Sequence, residues 1–231
     1  MKKQNIKIEN IPAVLYGDTS INLYLYIHGK CGYKEEAEAF AEIVCPKGYQ
    51  VLSIDLPGHG ERKDEMDLFV PWKIVPELRF VMEFAKESWN QISLRANSIG
   101  AWFGMQAFYN ETLVKNLFVS PVLDMEQLIK DMMQWASITE KDLEEQKVIP
   151  TSFGETLDWE YYQYAKMHPI ADWKAPTAIL YASKDNLTSR YIVDNFVSCF
   201  KNELTVMEDG EHWFHTPEQL MVLRRWESEN Y

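Results

Sequence analysis

The chain has 231 residues, of which 46% are hydrophobic and 25% are charged, and its net charge at neutral pH is −12. This composition is typical of a globular protein and excludes a collagen-like, low-complexity or disordered chain. Because the length suits one large domain, we interpret residues 1–231 as a single domain. The excess of carboxylates repels phosphate backbones, so we expect no nucleic-acid partner.

The apolar runs of the chain support neither export nor insertion into a membrane. Polar residues fill positions 4–10, where a signal peptide needs an apolar stretch of about 7 to 15 residues. No run reaches the ~18 apolar residues of a membrane-spanning helix. Cys31, Cys45 and Cys199 are widely spaced, which predicts reduced thiols and no metal site. We expect a soluble, cytoplasmic monomer or homodimer without a cofactor.

Short β-prone runs alternate with helical periodicities along the chain. The predicted strands are 21–28, 50–56, 91–96, 116–120, 177–182 and 203–207. The predicted helices are 37–44, 74–89, 99–109, 189–200 and 217–229. Such alternation predicts an α/β fold with a mostly parallel central sheet and helices on both faces.

One insertion, residues 124–168, interrupts this alternation. It shows no strand pattern, and helical patterns follow the candidate caps Asp124, Thr139 and Asp158. Its net charge is −6, half of the charge of the whole chain in about a fifth of its length. The insertion is either a solvated helical excursion or, as we predict, a helical lid over a site. Its aromatic side chains either pack it onto the body or line a pocket.

The segment 92–104, ISLRANSIGAWFG, carries the candidate nucleophile. A β-prone run passes through Ser98 into a helix, with the small residues Ala96 and Gly100 two positions before and after the serine. A sharp strand-to-helix turn needs small residues at those positions, and it presents the serine hydroxyl at the carboxyl edge of the sheet. Gly104 would let the following helix pack closely.

A serine hydroxyl needs a base, and the base needs an orienting acid. Asp185 follows the fifth predicted strand, and His212 follows the sixth. The chain order Ser98, Asp185, His212 is that of the hydrolases with a strand-to-helix nucleophile turn. Asp124 is a rival acid, and His215 is a rival base; we favour Asp185 and His212.

Four further segments complete a resemblance to the α/β-hydrolase superfamily that covers nearly the whole chain. His28 and Gly29 resemble the HG oxyanion loop of that family, and residues 55–60 (DLPGHG) resemble its D-x-x-G-x-G turn. Residues 181–185 (YASKD) resemble the strand end that carries the acid. The segment 210–215 (GEHWFH) resembles the histidine loop.

The resemblance implies that the backbone N–H groups of Lys30 and Ile99 form the oxyanion hole. It also implies a serine hydrolase acting on a small or medium carboxylic ester, thioester or amide, similar to small esterases, monoacylglycerol lipases and serine aminopeptidases with a helical cap. Two alternatives stay open: a non-catalytic protein of this fold that binds a small ligand or a protein, and an acyltransferase or C–C hydrolase that uses the same triad.

Overall fold

A computed structural model describes all 231 residues. The strands are β1 (Lys3–Ile8), β2 (Ile11–Tyr16), β3 (Asn22–Ile27), β4 (Tyr49–Ile54), β5 (Gln91–Asn97), β6 (Asn116–Val119), β7 (Val148–Pro150), β8 (Thr156–Asp158), β9 (Thr177–Ala182) and β10 (Glu203–Met207). The α-helices are α1 (Ala37–Val44), α2 (Pro71–Ser88), α3 (Ile99–Phe108), α4 (Met125–Trp135), α5 (Glu140–Gln146), α6 (Trp159–Met167), α7 (Arg190–Phe200) and α8 (Pro217–Asn230). None of these helices has the length and apolarity required to cross a membrane.

Eight strands form the central sheet in the order β1-β2-β4-β3-β5-β6-β9-β10. In this order, every neighbouring pair from β4 through β3, β5, β6 and β9 to β10 is parallel. The strands β1 and β2 extend the sheet as antiparallel strands. The predicted α/β class and the mostly parallel sheet are therefore confirmed. The parallel strands end at one common edge, which brings the loops after β3, β5, β9 and β10 together.

Helices cover both faces of the sheet, as predicted. One face carries a core of 42 buried residues, to which α2, α3 and the helices of the insertion contribute. The opposite face carries a smaller core of 16 buried residues under α1 and α8, which includes Phe40, Phe214 and Trp226. The apolar periodicity of α1 is the reason it lies there, because Ala37, Phe40, Ala41 and Val44 form its buried stripe.

The structure contains two hairpins that the sequence-based prediction lacks. The β1–β2 hairpin was not predicted, because five of the six residues of β1 are not buried and β2 contains Pro12. The insertion was predicted without strands, which is wrong: β7 and β8 pair as an antiparallel hairpin. Each has only three residues, too few for an alternating pattern. Pro76 is the sixth residue of α2, near the first turn of the helix.

Candidate active site

Ser98 occupies a sharp turn between the end of β5 and the start of α3. Its backbone angles are φ 48° and ψ −124°, a conformation that residues with a side chain rarely adopt. The turn is held from both sides, because Ser98 N–H donates to the Val119 carbonyl at 3.0 Å and the Ser98 carbonyl accepts from Val122 N–H at 3.1 Å. The neighbouring strand β6 thus stabilises the strained turn.

Small residues around Ser98 are required by space. A Cβ on Gly100 would lie 2.4 Å from the His28 carbonyl oxygen and 2.9 Å from that of Ile27. Ala96 is completely buried. Gly104 faces Leu94, where an added Cβ would lie 3.0 Å from a side-chain methyl group. The close approach of α3 to the end of β3 therefore depends on Gly100 above all.

Ser98, His212 and Asp185 lie in one hydrogen-bonded series. The Ser98 Oγ atom is 2.8 Å from His212 Nε2, and His212 Nδ1 is 2.7 Å from Asp185 Oδ2. A carboxylate only accepts, so Nδ1 carries the proton and Nε2 is free to accept from the serine hydroxyl. The structure thus brings together the three residues that the sequence singled out from loops more than 25 residues apart.

The Asp185 carboxylate is fully buried and satisfied. Its Oδ1 atom accepts the backbone N–H groups of Leu187 and Thr188 at 2.8 and 2.9 Å, which leaves Oδ2 for His212. The two rivals lie elsewhere: Asp124 caps α4 by accepting from Gln127 N–H at 2.9 Å. His215 Nδ1 lies 2.7 Å from the Trp213 carbonyl oxygen instead of facing Ser98.

The loop predicted to supply an oxyanion donor, residues 28–32 and called the oxyanion loop below, passes close to the serine turn. A Cβ on Gly29 would lie 3.2 Å from the Ser98 Cβ, so only glycine allows this approach without displacement. Lys30 follows directly. Ile99 is the first residue of α3, where a backbone N–H has no acceptor within its own helix. Lys30 and Ile99 thus directly follow the two residues, Gly29 and Ser98, that approach each other here.

Two neutral histidines hold the oxyanion loop. His28 Nε2 accepts the Leu56 N–H at 3.1 Å while its Nδ1–H donates to the Gly29 carbonyl at 2.7 Å. His59 Nε2 accepts the Cys31 N–H at 2.9 Å. Burial lowers the pKa of His28 to about 4 and also lowers the pKa of His59. Each ring therefore remains an acceptor at neutral pH.

A buried ion pair fixes the far end of the same loop. Asp55 is fully buried and accepts both the backbone N–H and the ammonium of Lys34 at 2.8 Å. Although burial opposes it, hydrogen bonds to Asp55 and Glu61 raise the pKa of Lys34. Gly60 must be a glycine, since its Cβ would lie 2.1 Å from an Asp55 oxygen. Lys34 and the role of His59 were not predictable from the sequence, because nothing local in the sequence distinguishes their partners.

Arg95, three residues before Ser98 in β5, stabilises the serine turn. It is buried in β5, and its Nε donates to Glu227 of α8 at 2.8 Å. Its Nη1 donates to Asn97 Oδ1 at 2.6 Å, and Asn97 Nδ2 donates to the Tyr26 hydroxyl at 2.9 Å. This network ties β3, β5 and α8 together next to Ser98. The long separation of Arg95 and Glu227 in the chain hides it from sequence reasoning.

The insertion, called the cap below, packs on the body near this site. Tyr161 of α6 stacks on Trp102 of α3 with the ring centroids 6.1 Å apart and an interplanar angle of 22°. Tyr164 also contacts Trp102, and both tyrosines contact Trp72 of α2. No group of three or more His, Cys, Asp or Glu side chains is arranged to hold a metal ion. Trp102 lies one turn of α3 after Ser98, so the aromatic side chains of the cap contact the body next to the serine turn.

This sheet order, the strand-to-helix turn at Ser98 and the following acid and histidine loops define a class: the chain has the α/β-hydrolase fold. No family model and no curated protein matches the sequence. Solved structures do match over nearly the full length. Alpha/beta hydrolase domain-containing protein 10 from mouse superimposes with a TM-score of 0.78 at 12% identity, covering 99% of this chain and 98% of that one.

Two further neighbours carry more specific descriptions. Est1E from Butyrivibrio proteoclasticus, described with bound ferulic acid, has a TM-score of 0.75 at 18% identity and covers 98% of this chain and 96% of its own. A monoacylglycerol lipase from Paleococcus ferrophilus has a TM-score of 0.67 at 15% identity and covers 95% and 97%. At these identities the likeness concerns the fold.

Proposed function

We propose that this protein is a serine hydrolase that cleaves a small or medium carboxylic ester through an acyl-enzyme. One observation carries the proposal: the continuous series from Ser98 Oγ through His212 to the buried Asp185, with links of 2.8 and 2.7 Å. A serine is a useful nucleophile only when such a base is within hydrogen-bond reach and an acid orients it. Ser98 meets both conditions.

In the proposed reaction, His212 Nε2 takes the hydroxyl proton as Ser98 Oγ bonds to the ester carbonyl carbon. The C–O bond to the alcohol then breaks, and His212 returns its proton to the leaving alkoxide. Water then attacks the carbonyl carbon of the acyl-serine while His212 accepts a proton from it. The bond between that carbon and Ser98 Oγ breaks, His212 returns the proton to Oγ, and the carboxylic acid is released. Asp185 stabilises the imidazolium that forms in each half of the reaction.

The N–H groups of Lys30 and Ile99 are the proposed oxyanion donors. They lie on the two segments that meet at Gly29 and Ser98, and the start of α3 adds the positive end of a helix dipole. Each such donor contributes about 10²- to 10³-fold to rate in enzymes of this kind. Substituting the Lys30 side chain leaves its backbone N–H in place.

The ester class is supported by the descriptions of the neighbours, which include esterases, a lipase and a thioesterase domain. The aromatic side chains between cap and body, Trp72, Trp102, Tyr161 and Tyr164, suit an apolar or aromatic group on the substrate. An ester panel should therefore include straight-chain acyl groups and a feruloyl ester, with a thioester as comparison.

The decisive experiment is labelling with a fluorophosphonate. The wild-type protein should take up one label per chain by intact mass, and Ser98→Ala should take up none while keeping its fold. Ser120→Ala is a matched control, because Ser120 also ends a strand and its buried hydroxyl has no partner within the chain. The control should label like wild type.

Hydrolysis of p-nitrophenyl esters tests the reaction itself. Ser98→Ala should lower kcat by roughly 10⁴- to 10⁶-fold, as removal of a triad nucleophile does elsewhere. Turnover retained in that variant would refute the assignment. A well-folded wild-type protein that takes up no label would favour the ligand-binding alternative, and an acyl-enzyme without net hydrolysis would favour acyl transfer.

A further inference from the structure

The cap reaches the oxyanion loop through a hairpin, which we call the cap hairpin and define as residues 148–158. Its strands β7 and β8 pair from Val148–Asp158 to Pro150–Thr156, and its turn is closed by the Thr151 N–H bonded to the Glu155 carbonyl at 2.8 Å. Glu155, at the end of that turn, forms an ion pair with Lys30. The cap hairpin therefore contacts the very residue whose backbone we propose as an oxyanion donor.

The two ends of the cap are attached to the body unequally. At the α6 end, Tyr161 and Tyr164 pack on Trp72 and Trp102, and Gln106 Nε2 donates to the His168 carbonyl at 2.6 Å. At the hairpin end, the Lys30–Glu155 pair is the one hydrogen bond or ion pair that joins the cap hairpin to residues outside the cap. At the hairpin tip, Phe153 is 42% exposed and packs edge-on against Trp135 of α4, within the cap, whereas Leu157 at the base of the hairpin is buried in the core.

The Lys30–Glu155 pair is also a contact between opposite charges of the oxyanion loop and the cap. The insertion carries a net charge of −6, and Glu155 is the cap acid that meets a cation of the oxyanion loop. The side chains of Lys30 and Glu155 are 38% and 35% exposed, so salt screens their attraction. A pair of this exposure contributes at most about 1 kcal/mol, which corresponds to roughly a fivefold change in an equilibrium.

We propose that Lys30 and Glu155 form a specificity-determining pair: they dock the cap hairpin on the oxyanion loop and thereby limit the size of the ester that reaches Ser98. Separating the charges frees the tip of the cap hairpin, residues 151–155, while Leu157 in the core and the aromatic contacts of α6 keep the rest of the cap attached. The docking part stands on the contacts alone, and the size selection rests on the proposed function.

Hydrogen exchange tests the docking without using activity. In Glu155→Gln, amides of the 148–158 segment should exchange up to about fivefold faster than in wild type. Glu145→Gln is the matched control, because it removes the same charge from an exposed pair inside the cap, Lys141 with Glu145, and Glu145 has no ion pair with the body. The control should exchange like wild type, and equal exchange in both variants would overturn the docking.

Ester kinetics test the size selection. The ratio of kcat/KM for p-nitrophenyl octanoate to that for the acetate should rise up to about fivefold in Glu155→Gln, and the reversed pair Lys30→Glu/Glu155→Lys should return it towards the wild-type ratio. A ratio unchanged in Glu155→Gln, or one that stays high in the reversed pair, would overturn the size selection.

Salt supplies a test on the wild-type chain, should the reversed pair fail to fold. Raising NaCl from about 20 to 500 mM should increase exchange of the 148–158 segment in wild type and leave Glu155→Gln unaffected. An equal response of both proteins would contradict the proposal. Because exchange is also measurable in Ser98→Ala, a failure of the proposed function, seen as absent labelling, is distinguishable from a failure of the docking.

Discussion

At the residue scale, the position of Ser98 depends on a neighbour that has no side chain. Gly100 sits where the first turn of α3 touches the backbone of β3, and two carbonyl oxygens occupy the space of a Cβ. Backbone atoms of a buried central strand cannot move aside as a flexible side chain does. The turn at Ser98 and the packing of α3 are therefore one structural feature.

Gly100→Ala should destabilise the fold by about 2 kcal/mol or more and abolish fluorophosphonate labelling. Gly104→Ala is the control: alanine gains up to about 1 kcal/mol of helix propensity, and the obstructing Leu94 methyl group lies at the end of a flexible side chain. Its stability should stay within about 1 kcal/mol of wild type. Urea denaturation measures both variants, and equal losses would contradict the argument.

The neutral histidines predict how stability changes with pH. The pKa of His28 is about 4 in the folded protein, against about 6.5 unfolded, so below pH 6.5 the unfolded chain binds a proton that the folded chain does not. Stability should fall as pH drops from about 6.5 to 4, by about 3 kcal/mol from His28 alone, and His59 acts in the same direction.

Denaturation midpoints at half-unit pH steps measure this loss. His28→Gln should be less stable than wild type at pH 7, because the ring bonds to Leu56 and Gly29 are lost. Its stability should also depend less steeply on pH between 6.5 and 4, since the titrating group is absent. An unchanged slope would show that another group carries the effect.

At the scale of elements, the buried Arg95–Glu227 pair joins the strand before Ser98 to the last helix. Burial raises the pKa of Glu227, which shows how strongly the carboxylate depends on the arginine for its charge. Arg95 also lies over the Tyr26 ring, 5.3 Å from its centroid. The Arg95–Glu227 ion pair, which is buried from water, thus links α8 to the central sheet.

Removing one partner should be far more damaging than removing an exposed pair. Arg95→Met leaves Glu227 buried without its counter-ion and should cost about 3 to 5 kcal/mol. The double variant Arg95→Met/Glu227→Leu should cost less than the sum of the single changes. Arg225→Met, which breaks an exposed pair with Glu229 on the same helix, should cost under about 1 kcal/mol in the same denaturation series.

Elements with strong local signals were predictable from the sequence. Asp124, Thr139 and Asp158 cap α4, α5 and α6 through their side chains, as predicted. Ser98, Asp185 and His212 were identifiable because each follows a β-prone run, and the three strands end at the same sheet edge. Whether they catalyse stays a prediction. The β1–β2 hairpin was not predictable because β1 is mostly exposed and β2 contains Pro12, and the strands of the cap hairpin are too short for a pattern. The partners of Lys34 and Arg95 were not predictable because they lie far away in the sequence.

At the scale of the whole molecule, the two faces of the sheet depend on different parts of the chain. The smaller core is closed by α1 and α8, and α8 supplies both Trp226 and Glu227. By contrast, Ile8 is the one buried residue of β1. The last helix therefore contributes more to the fold than the first strand.

Truncation tests this difference. A chain ending at Thr216 retains Ser98, Asp185 and His212 but leaves the smaller core open and Arg95 unpaired, so it should show no cooperative thermal unfolding. A chain beginning at Glu9 loses only an edge strand and should unfold cooperatively at a lower Tm. Circular dichroism during heating distinguishes the two, and a folded 1–216 chain would contradict the assignment of the core.

The edge position of β10 has a consequence for how the protein loses activity. Every residue of β10 is at least partly exposed, and this strand pairs with β9 alone and leads directly into the loop that holds His212. Segments with one neighbour and little burial open before the whole molecule does. The proposed base, His212, thus follows an edge strand that opens early, whereas Ser98 follows β5 in the middle of the sheet. Inactivation by urea should therefore precede loss of the central sheet. An enzyme assay would then report local opening of β10 and the following loop and not global unfolding.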